Sequence, residues 1–260
     1  MMFQLTQYLK FLLHATNEHD VHSPFVYQLI TQCLYDKTPY AAYGKLKSYR
    51  QTLLKNQAIV SITDLGPGSK RSKTPDRKIA TIARHSGSSL AKTKLLYRLS
   101  QYFKCRNSLE LGTSLGLATQ ALGIGAPNHR VTTIEGCPNL AKLAQQNLKA
   151  YPNVSCLNGS FSEVLTQLPQ YPPYDLVFFD GNHTQKATLS YFETLLPHAH
   201  NDTVFIFDDI NWNPDMAAAW ELIKTHPKVT VTIDTFLWGL VFFRKEQAKQ
   251  DFKIRLPFLF

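Results

Sequence analysis

From Asn107 onward, short apolar runs and helical segments take turns along the chain, and this alternation restricts the possible folds more than any other feature. The runs cover residues 108–111, 131–134, 154–157, 176–179 and 204–207. Between the first three, Leu115, Ala118 and Leu122, then Leu140, Leu143, Ala144 and Leu148, recur at helical spacing. Strands separated by helices of this length are joined by right-handed crossovers, which makes their sheet parallel. Two later runs, 229–233 and 237–243, stand too close together for a parallel crossover, which needs a dozen or more residues. They are expected to form an antiparallel hairpin at one edge of the sheet. The fold expected is α/β: a doubly wound, mostly parallel sheet of seven strands with an antiparallel C-terminal hairpin, preceded by a helical extension.

The first hundred residues read differently. Phe3, Leu5, Leu9, Leu12 and Leu13 suggest an amphipathic helix. Ser23-Pro24 reads as an N-cap with proline at the first helical position, opening a second helix from Phe25 to about Tyr35. Residues 61–89 carry Gly66, Pro67, Gly68, Pro75 and Gly87 among Lys70, Arg71, Lys73, Arg77 and Lys78. A stretch so rich in breakers and charge is not expected to pack as core. Leu95, Leu96, Leu99 and Phe103 then restore a helical period. The expected division is an arm and basic loop over 1–89, serving as a lid or dimer contact, and a ligand-binding domain over 90–260. Phe3, Tyr8 and Phe11 are the candidates for a homodimer contact.

With 28 Lys and Arg against 19 Asp and Glu, the chain is basic, which favours anionic partners, nucleic acid among them, or means only a basic surface. The 44% apolar content argues against general disorder. Cys33, Cys105, Cys137 and Cys156 show no C-x-x-C spacing and read as reduced thiols in a cytoplasmic protein. The start lacks the order of a signal peptide, and no stretch is long and apolar enough to span a bilayer, so no membrane association is expected.

The chemistry begins at Ser108-Leu109-Glu110-Leu111-Gly112-Thr113-Ser114-Leu115-Gly116, a strand entering a glycine turn and then a helix. Gly112 permits a tight turn and close approach of a ligand, and N–H groups at the helix start would face its polar groups. Glu135 follows at the end of the next strand, where a carboxylate can accept both hydroxyls of a ribose. Turn and acid together point to a nucleoside-containing cofactor; an ordinary αβ turn without ligand is the plain alternative. A dinucleotide turn wants G-x-G-x-x-G, and Ser114 occupies the place of its second glycine, which disfavours a pyrophosphate and a nicotinamide oxidoreductase. Residues 64–69, Asp-Leu-Gly-Pro-Gly-Ser, imitate such a loop, but no second strand with a terminal acid follows at 85–95. They read as a mobile basic lid or a solvated surface loop.

In these motifs the sequence resembles the class I S-adenosylmethionine-dependent methyltransferases, specifically the catechol O-methyltransferase-like group, whose fold is Rossmann-like. The resemblance covers about residues 90–244 and rests on 109–116, on Thr133-Ile134-Glu135, on Asn158-Gly159-Ser160, on 175–180 and on Phe207-Asp208-Asp209. The segment His22-Ser23-Pro24-Phe25 resembles the start of a set of bacterial methyltransferases without a known substrate. The resemblance implies that Glu110, Gly112, Thr113 and Ser114, with Gly116 closing the turn, line the methionine part of S-adenosyl-L-methionine. It implies that Glu135 holds the ribose, that Gly136 and Cys137 lie near the adenine edge, and that Gly159, Ser160 and Phe161 flank the adenine. Asp180 would stand beside the transferred methyl group.

Asp180-Gly181-Asn182-His183 and Asp208-Asp209 close successive strands, where ligands bind in open parallel sheets. Converging carboxylates repel unless protons or a cation intervene, and oxygen ligands suit Mg²⁺ or Ca²⁺. Asp180, Asp208 and Asp209 are therefore candidate metal ligands. The alternative is that one caps a loop and another bonds the cofactor amine. Where the resembled enzymes carry Asp-Asn, this chain has Asp208-Asp209, so the match is incomplete. His183 stands where they place a lysine base, and is the candidate general base with Asp180 beside it; a solvated loop histidine is the plain reading. Trp212 could wall an aromatic acceptor or simply pack, and Trp220 reads as core. The expected function is O-methylation of a small-molecule hydroxyl, with a divalent metal assisting. An RNA methyltransferase and a non-catalytic cofactor-binding protein are the alternatives; nucleic acid is not favoured, since no RNA-binding module appears.

Overall fold

The computed structural model describes residues 2–63, 74–125, 128–167 and 173–257. In chain order the helices and strands are α1 (Met2–His14), α2 (Pro24–Leu29), α3 (Ala42–Lys55), β1 (Ile59–Ser61), β2 (Asp76–Lys78), α4 (Ile79–His85), α5 (Leu90–Tyr102), β3 (Asn107–Leu111), α6 (Leu117–Gly123), β4 (Arg130–Glu135), α7 (Pro138–Asn147) and β5 (Val154–Asn158). They continue with α8 (Phe161–Thr166), β6 (Tyr174–Phe179), α9 (Gln185–Leu195), β7 (Ala199–Asp208), α10 (Pro214–Thr225), β8 (Val231–Asp234), β9 (Trp238–Phe242) and β10 (Gln250–Lys253). The chain is α/β with mostly parallel strands, as the alternation implied. It forms two compact units, residues 37–171 and residues 1–36 with 172–260.

In the unit of 37–171, β4 lies between β3 and β5 and is parallel to both. Leu109 and Leu111 on β3, and Val131 and Ile134 on β4, are buried, as the near-continuous apolar runs of a covered parallel sheet require. β1 and β2 form a separate antiparallel pair. The expectation that residues 61–89 would not pack as core is corrected for Ile79–Ala83. There α4 buries Ile79, Ala80, Ile82 and Ala83, and all but Ala80 pack with Leu53, Leu115, Leu117, Cys137 and Leu140. Fully burying an isoleucine such as Ile79 or Ile82 contributes about 1.5–3 kcal/mol. Four apolar residues at helical spacing therefore outweighed the breakers flanking them. Positions 64–73, which include the imitation glycine loop and most of the basic lid, lie outside the described residues.

In the other unit, β6 and β7 are parallel, β9 runs antiparallel to both β7 and β8, and β10 lies parallel to β8. The β8–β9 hairpin exists as expected but is not at the edge. β10, a strand beyond the seven expected, covers β8. Its sequence, Gln-Asp-Phe-Lys, is polar at three of four positions and shows no apolar run, so backbone pairing rather than burial defines it. At the hairpin turn, Phe236 takes a left-handed φ of 71° and donates its N–H to Asp234 Oδ1 at 2.7 Å. Ser23 caps α2 as anticipated, accepting from the Val26 N–H, and the second helix extends to Leu34 through a π-helical turn over Ile30–Leu34.

α1 turns its aromatic side chains inward. Tyr8 and Phe11 meet Phe236 with ring centroids 4.9 and 5.7 Å apart, and Phe11 is buried. The residues that point outward are Met2, Leu5, Leu9 and Leu13. Two of the three aromatic residues considered for a dimer contact are thus spent on the fold. All four cysteines are free thiols. Among the described residues no helix is long and apolar enough to cross a membrane.

Candidate functional site

In the unit of 37–171, the turn after β3 is built from three left-handed residues: Gly112 (φ 108°), Ser114 (φ 48°) and Gly116 (φ 76°). The Gly112 and Thr113 N–H groups donate to Ile134 O at 3.0 and 3.3 Å, holding the turn against the end of β4. Glu135 closes the arrangement. Its Oε2 accepts the Ser114 N–H at 2.7 Å and its Oε1 accepts the Cys137 N–H at 2.8 Å. Its backbone carbonyl receives Asn158 Nδ2 at 2.8 Å and the Gly159 N–H at 3.1 Å, which ties in the end of β5. Tyr49, on α3, donates its hydroxyl to Leu115 O at 2.6 Å and fixes the turn from another side. Gly116→Ala is expected to lower stability by about 1–2 kcal/mol, the cost of a left-handed L-residue. The new Cβ would lie 2.8 Å from Leu148 Cδ1, the tip of a side chain that can move, so backbone strain dominates. Urea unfolding of wild type and variant measures it.

Beneath the turn lies a buried polar chain. Glu110 is fully buried; its Oε2 accepts Thr119 Oγ1 at 2.5 Å and Thr133 Oγ1 at 2.6 Å. With its hydrogen so used, Thr133 receives that of Thr113, 2.6 Å away. Glu110 Oε1 has no hydrogen-bond partner among the described residues. Burial pushes this carboxyl from its usual value near 4.5 up to about 7, opposed by the two threonine hydrogen bonds, with the nearby Glu135 charge adding to the rise.

In the unit of 1–36 and 172–260, the strand ends carry a second cluster. The β6–β7 register pairs Phe179 with Phe207, whose rings stack at 4.2 Å, so Asp180 and Asp208 emerge side by side one residue later. His183 Nε2 lies 3.8 Å from Asp180 Oδ1, within ion-pair reach but too far for a hydrogen bond. The loop between them is held firmly. Asn182 takes a left-handed φ of 50° and donates to Tyr191 OH at 3.2 Å, Asn213 Nδ2 donates to His183 O at 3.0 Å, and Thr184 caps α9. Asp208 is buried and its Oδ1 accepts the N–H of Asp209, which is itself left-handed at φ 55°. Trp212 is 41% exposed, whereas Trp220 is buried.

Residues 109–210 match the profile of a family described as a methyltransferase domain. Over these residues the chain is similar to methyltransferase domains. A catechol O-methyltransferase of Niastella koreensis is 29% identical over 123 residues, 45% of this chain and 55% of that protein. The chain thus matches about half the length of this curated relative. Among solved structures, an O-methyltransferase of Bacillus cereus in complex with SAH superposes with a TM-score of 0.56 at 22% identity, covering 84% of this chain and 97% of that one. The SAH-bound methyltransferase PaMTH1 of Podospora anserina gives 0.59 at 14% identity, covering 86% and 97%. The SAM-bound O-methyltransferase TomG of Streptomyces achromogenes gives 0.56 at 19%, covering 88% and 96%. These structures share the fold.

Within the matched residues, the turn and Glu135 are brought together, with Gly136 beside them and Gly159 hydrogen-bonded to the Glu135 backbone. Other side chains proposed as ligand contacts are engaged elsewhere. The Cys137 thiol is buried with α4 and Leu53 and accepts the Thr63 N–H at 3.4 Å. Ser160 is committed to a capping box with Glu163 at the start of α8, where Phe161 is the first residue. Among the described residues no three His, Cys, Asp or Glu side chains gather into a group that could hold an ion. The carboxylate chemistry suits Mg²⁺ or Ca²⁺, but one Asp208 oxygen is turned to the neighbouring backbone and Asp209 sits in a strained turn.

Sequence reasoning missed the threonines 113, 119 and 133 as partners of Glu110. The signal was available in the register, since Glu110 pairs directly with Thr133 across β3 and β4. Their chemistry yields a pH prediction. Because the folded-state value of Glu110 is raised, the unfolded chain releases this proton first. Stability contributed at low pH is therefore lost as pH climbs from about 4.5 to about 7, by up to about 3 kcal/mol, and no further above that. Glu110→Gln is expected to flatten this decline, as read from urea midpoints at pH 5 and pH 8; an unchanged decline would refute the assignment.

Proposed function

We propose that this protein transfers the methyl group of S-adenosyl-L-methionine to a hydroxyl oxygen of a small molecule. The observation that carries the reading is the 2.7 Å bond from the Ser114 N–H to Glu135, which unites the glycine turn and the acid in one grip. An acid pointing to the opposite rim would have left no nucleoside site. The catechol O-methyltransferase of Niastella koreensis and the solved O-methyltransferases named above support the choice of oxygen as acceptor. Glu135 accepts the ribose hydroxyls with lone pairs its two backbone bonds leave over, since a carboxylate offers about four. The Gly112–Gly116 turn receives the methionine part close to the backbone. When bound, the cofactor supplies an electrophilic methyl on sulfonium sulfur.

The rest falls to the chain's own groups. His183 accepts the acceptor's hydroxyl proton at its ring nitrogen, so that the oxygen can attack in line as the carbon–sulfur bond breaks. Asp180, 3.8 Å away, stabilises the imidazolium that results. Asn213, Asn182 and Tyr191 hold the histidine loop in place, and such positioning supplies much of the acceleration in a two-substrate displacement. As the acids stand they do not fit a three-carboxylate metal site, and no step is routed through Mg²⁺ or Ca²⁺. Labelled S-adenosyl-L-methionine incubated with a panel of phenols and catechols tests the reading. Label appearing in an ether product supports it; label transferred only to amines, to RNA, or to nothing refutes it.

A further inference from the structure

The chain's net charge of +9 is shared out unevenly between the two units. Residues 37–171 hold 19 Lys and Arg against five Asp and Glu, whereas residues 1–36 and 172–260 hold 9 against 14. Two of the five acids are already engaged: Glu110 is buried on threonines, and Glu135 bonds the glycine turn. Neither 37–63 nor 77–109 contains an acid. Charge of one sign gathered in this way opposes compactness by self-repulsion, and it raises the local density of ions of the opposite sign.

The two acid-free stretches meet at α3. Its 14 residues turn Leu46 and Leu53 into the core. Lys45, Lys47 and Lys55 are exposed, together with Ser48 and Gln51. Residues three and four apart are neighbours on a helix, so Lys47, Gln51 and Lys55 form one row, beside Lys45 and Ser48. Adjoining elements extend both ends of this face. At the start, Lys94 of α5 lies over the Tyr43 ring, 4.7 Å from its centroid. At the end, the Ala80 N–H donates to Asn56 O and the Ile79 N–H to Ala58 O, both at 2.9 Å, which sets the exposed Lys78 close by. From Lys45 to Lys55 the helix rises about 15 Å, enough to follow several phosphates of one strand.

We propose that the outer face of α3, with Lys78 and Lys94 at its ends, is a docking surface for the sugar–phosphate backbone of a nucleic acid, bound without regard to sequence. The lysines displace the strand's counter-ions, and Ser48 and Gln51 offer neutral donors to phosphate oxygens. An anionic membrane is a poorer match. A helix that lies on a membrane carries large apolar side chains beside its cations. In this unit Ile59 is the one large apolar residue left exposed among the described residues, and it is not on α3. The nucleic acid is a partner held by this face and not the methyl acceptor, so the surface stands apart from the methyl transfer proposed above.

Fluorescence anisotropy of a labelled oligouridylate, with the whole protein and no adenosylmethionine, tests it. Saturable binding is expected at about 50 mM salt, weaker by about tenfold or more at about 200 mM, as counter-ion release from about three phosphate contacts requires. The triple variant Lys45→Gln, Lys47→Gln, Lys55→Gln places good helix formers at exposed positions, so the fold is kept. It should bind about tenfold or more weakly than wild type, with a shallower salt dependence. Lys186→Gln, Lys228→Gln, Lys245→Gln removes the same charge from exposed positions of the other unit. This control should stay within about twofold of wild type, since only cations in contact with phosphate enter the salt dependence. The proposal is overturned by absence of saturable binding at the lower salt, by affinity indifferent to salt, or by an α3 variant that binds as tightly as the control. Binding to phosphatidylserine vesicles without binding to oligouridylate would overturn it in favour of a membrane.

Discussion

His183→Ala is expected to lower turnover by about 10²–10⁴-fold while leaving affinity for S-adenosylhomocysteine within about twofold of wild type. The range is that of losing a positioned general base. The reasons are structural as well as chemical. His183 sits on a loop that Asn213, Asn182 and Thr184 hold without help from its side chain, so truncation should leave the loop in place. Its ring lies in the acid–base cluster, 3.8 Å from Asp180. Steady-state kinetics with saturating cofactor, beside calorimetry with the demethylated product, separates the two effects. Turnover within threefold of wild type would remove His183 from the chemistry. An equal fall in cofactor affinity would instead make it a binding residue.

Glu135→Ala should produce the opposite division. One carboxylate accepts the Ser114 and Cys137 N–H groups and is also the proposed ribose acceptor. Its removal leaves two backbone donors without this acceptor and takes away two charge-assisted bonds to the ligand. At about 1.5–3 kcal/mol for each bond to a charged group, cofactor affinity should fall by about 10²-fold or more. Stability should fall as well, by about 1–3 kcal/mol, because the turn loses its tie to β4. Glu135→Gln separates the two roles. Its amide keeps one acceptor oxygen for the turn but cannot accept two ribose hydroxyls with the strength of a carboxylate. It should recover most of the stability and little of the affinity. Unchanged affinity in both variants would dissociate the acid from the nucleoside and with it the proposed activity.

The contrast between Glu110 and Glu135 shows why the same residue type needs its surroundings to acquire a role. Both lie near the carboxyl ends of neighbouring parallel strands, and the sequence reading placed both against the cofactor. Glu110 is wholly buried on threonine hydroxyls, with its carboxyl raised to about 7, whereas Glu135 is only partly covered and bonds backbone N–H groups. The first supports the turn from below, and the second is the one proposed to meet a ligand. Exposure and partners made that distinction, and neither is carried by the letter E.

The alternation after Asn107, the glycine turn at Gly112–Gly116 and the acid at Glu135 were all legible in the chain, because each depends on short-range rules. Apolar period sets strand or helix, a left-handed φ calls for glycine, and crossover length dictates parallel pairing. Such rules could not foresee α4 packed into the core, β10 added beyond the hairpin, or the Cys137 thiol turned toward α4. Nor could they foresee that α1 would turn Tyr8 and Phe11 inward onto Phe236. Each of these depends on residues tens to hundreds of positions apart competing for the same space. Which partner wins is settled by packing and by hydrogen bonds formed only once the chain is folded.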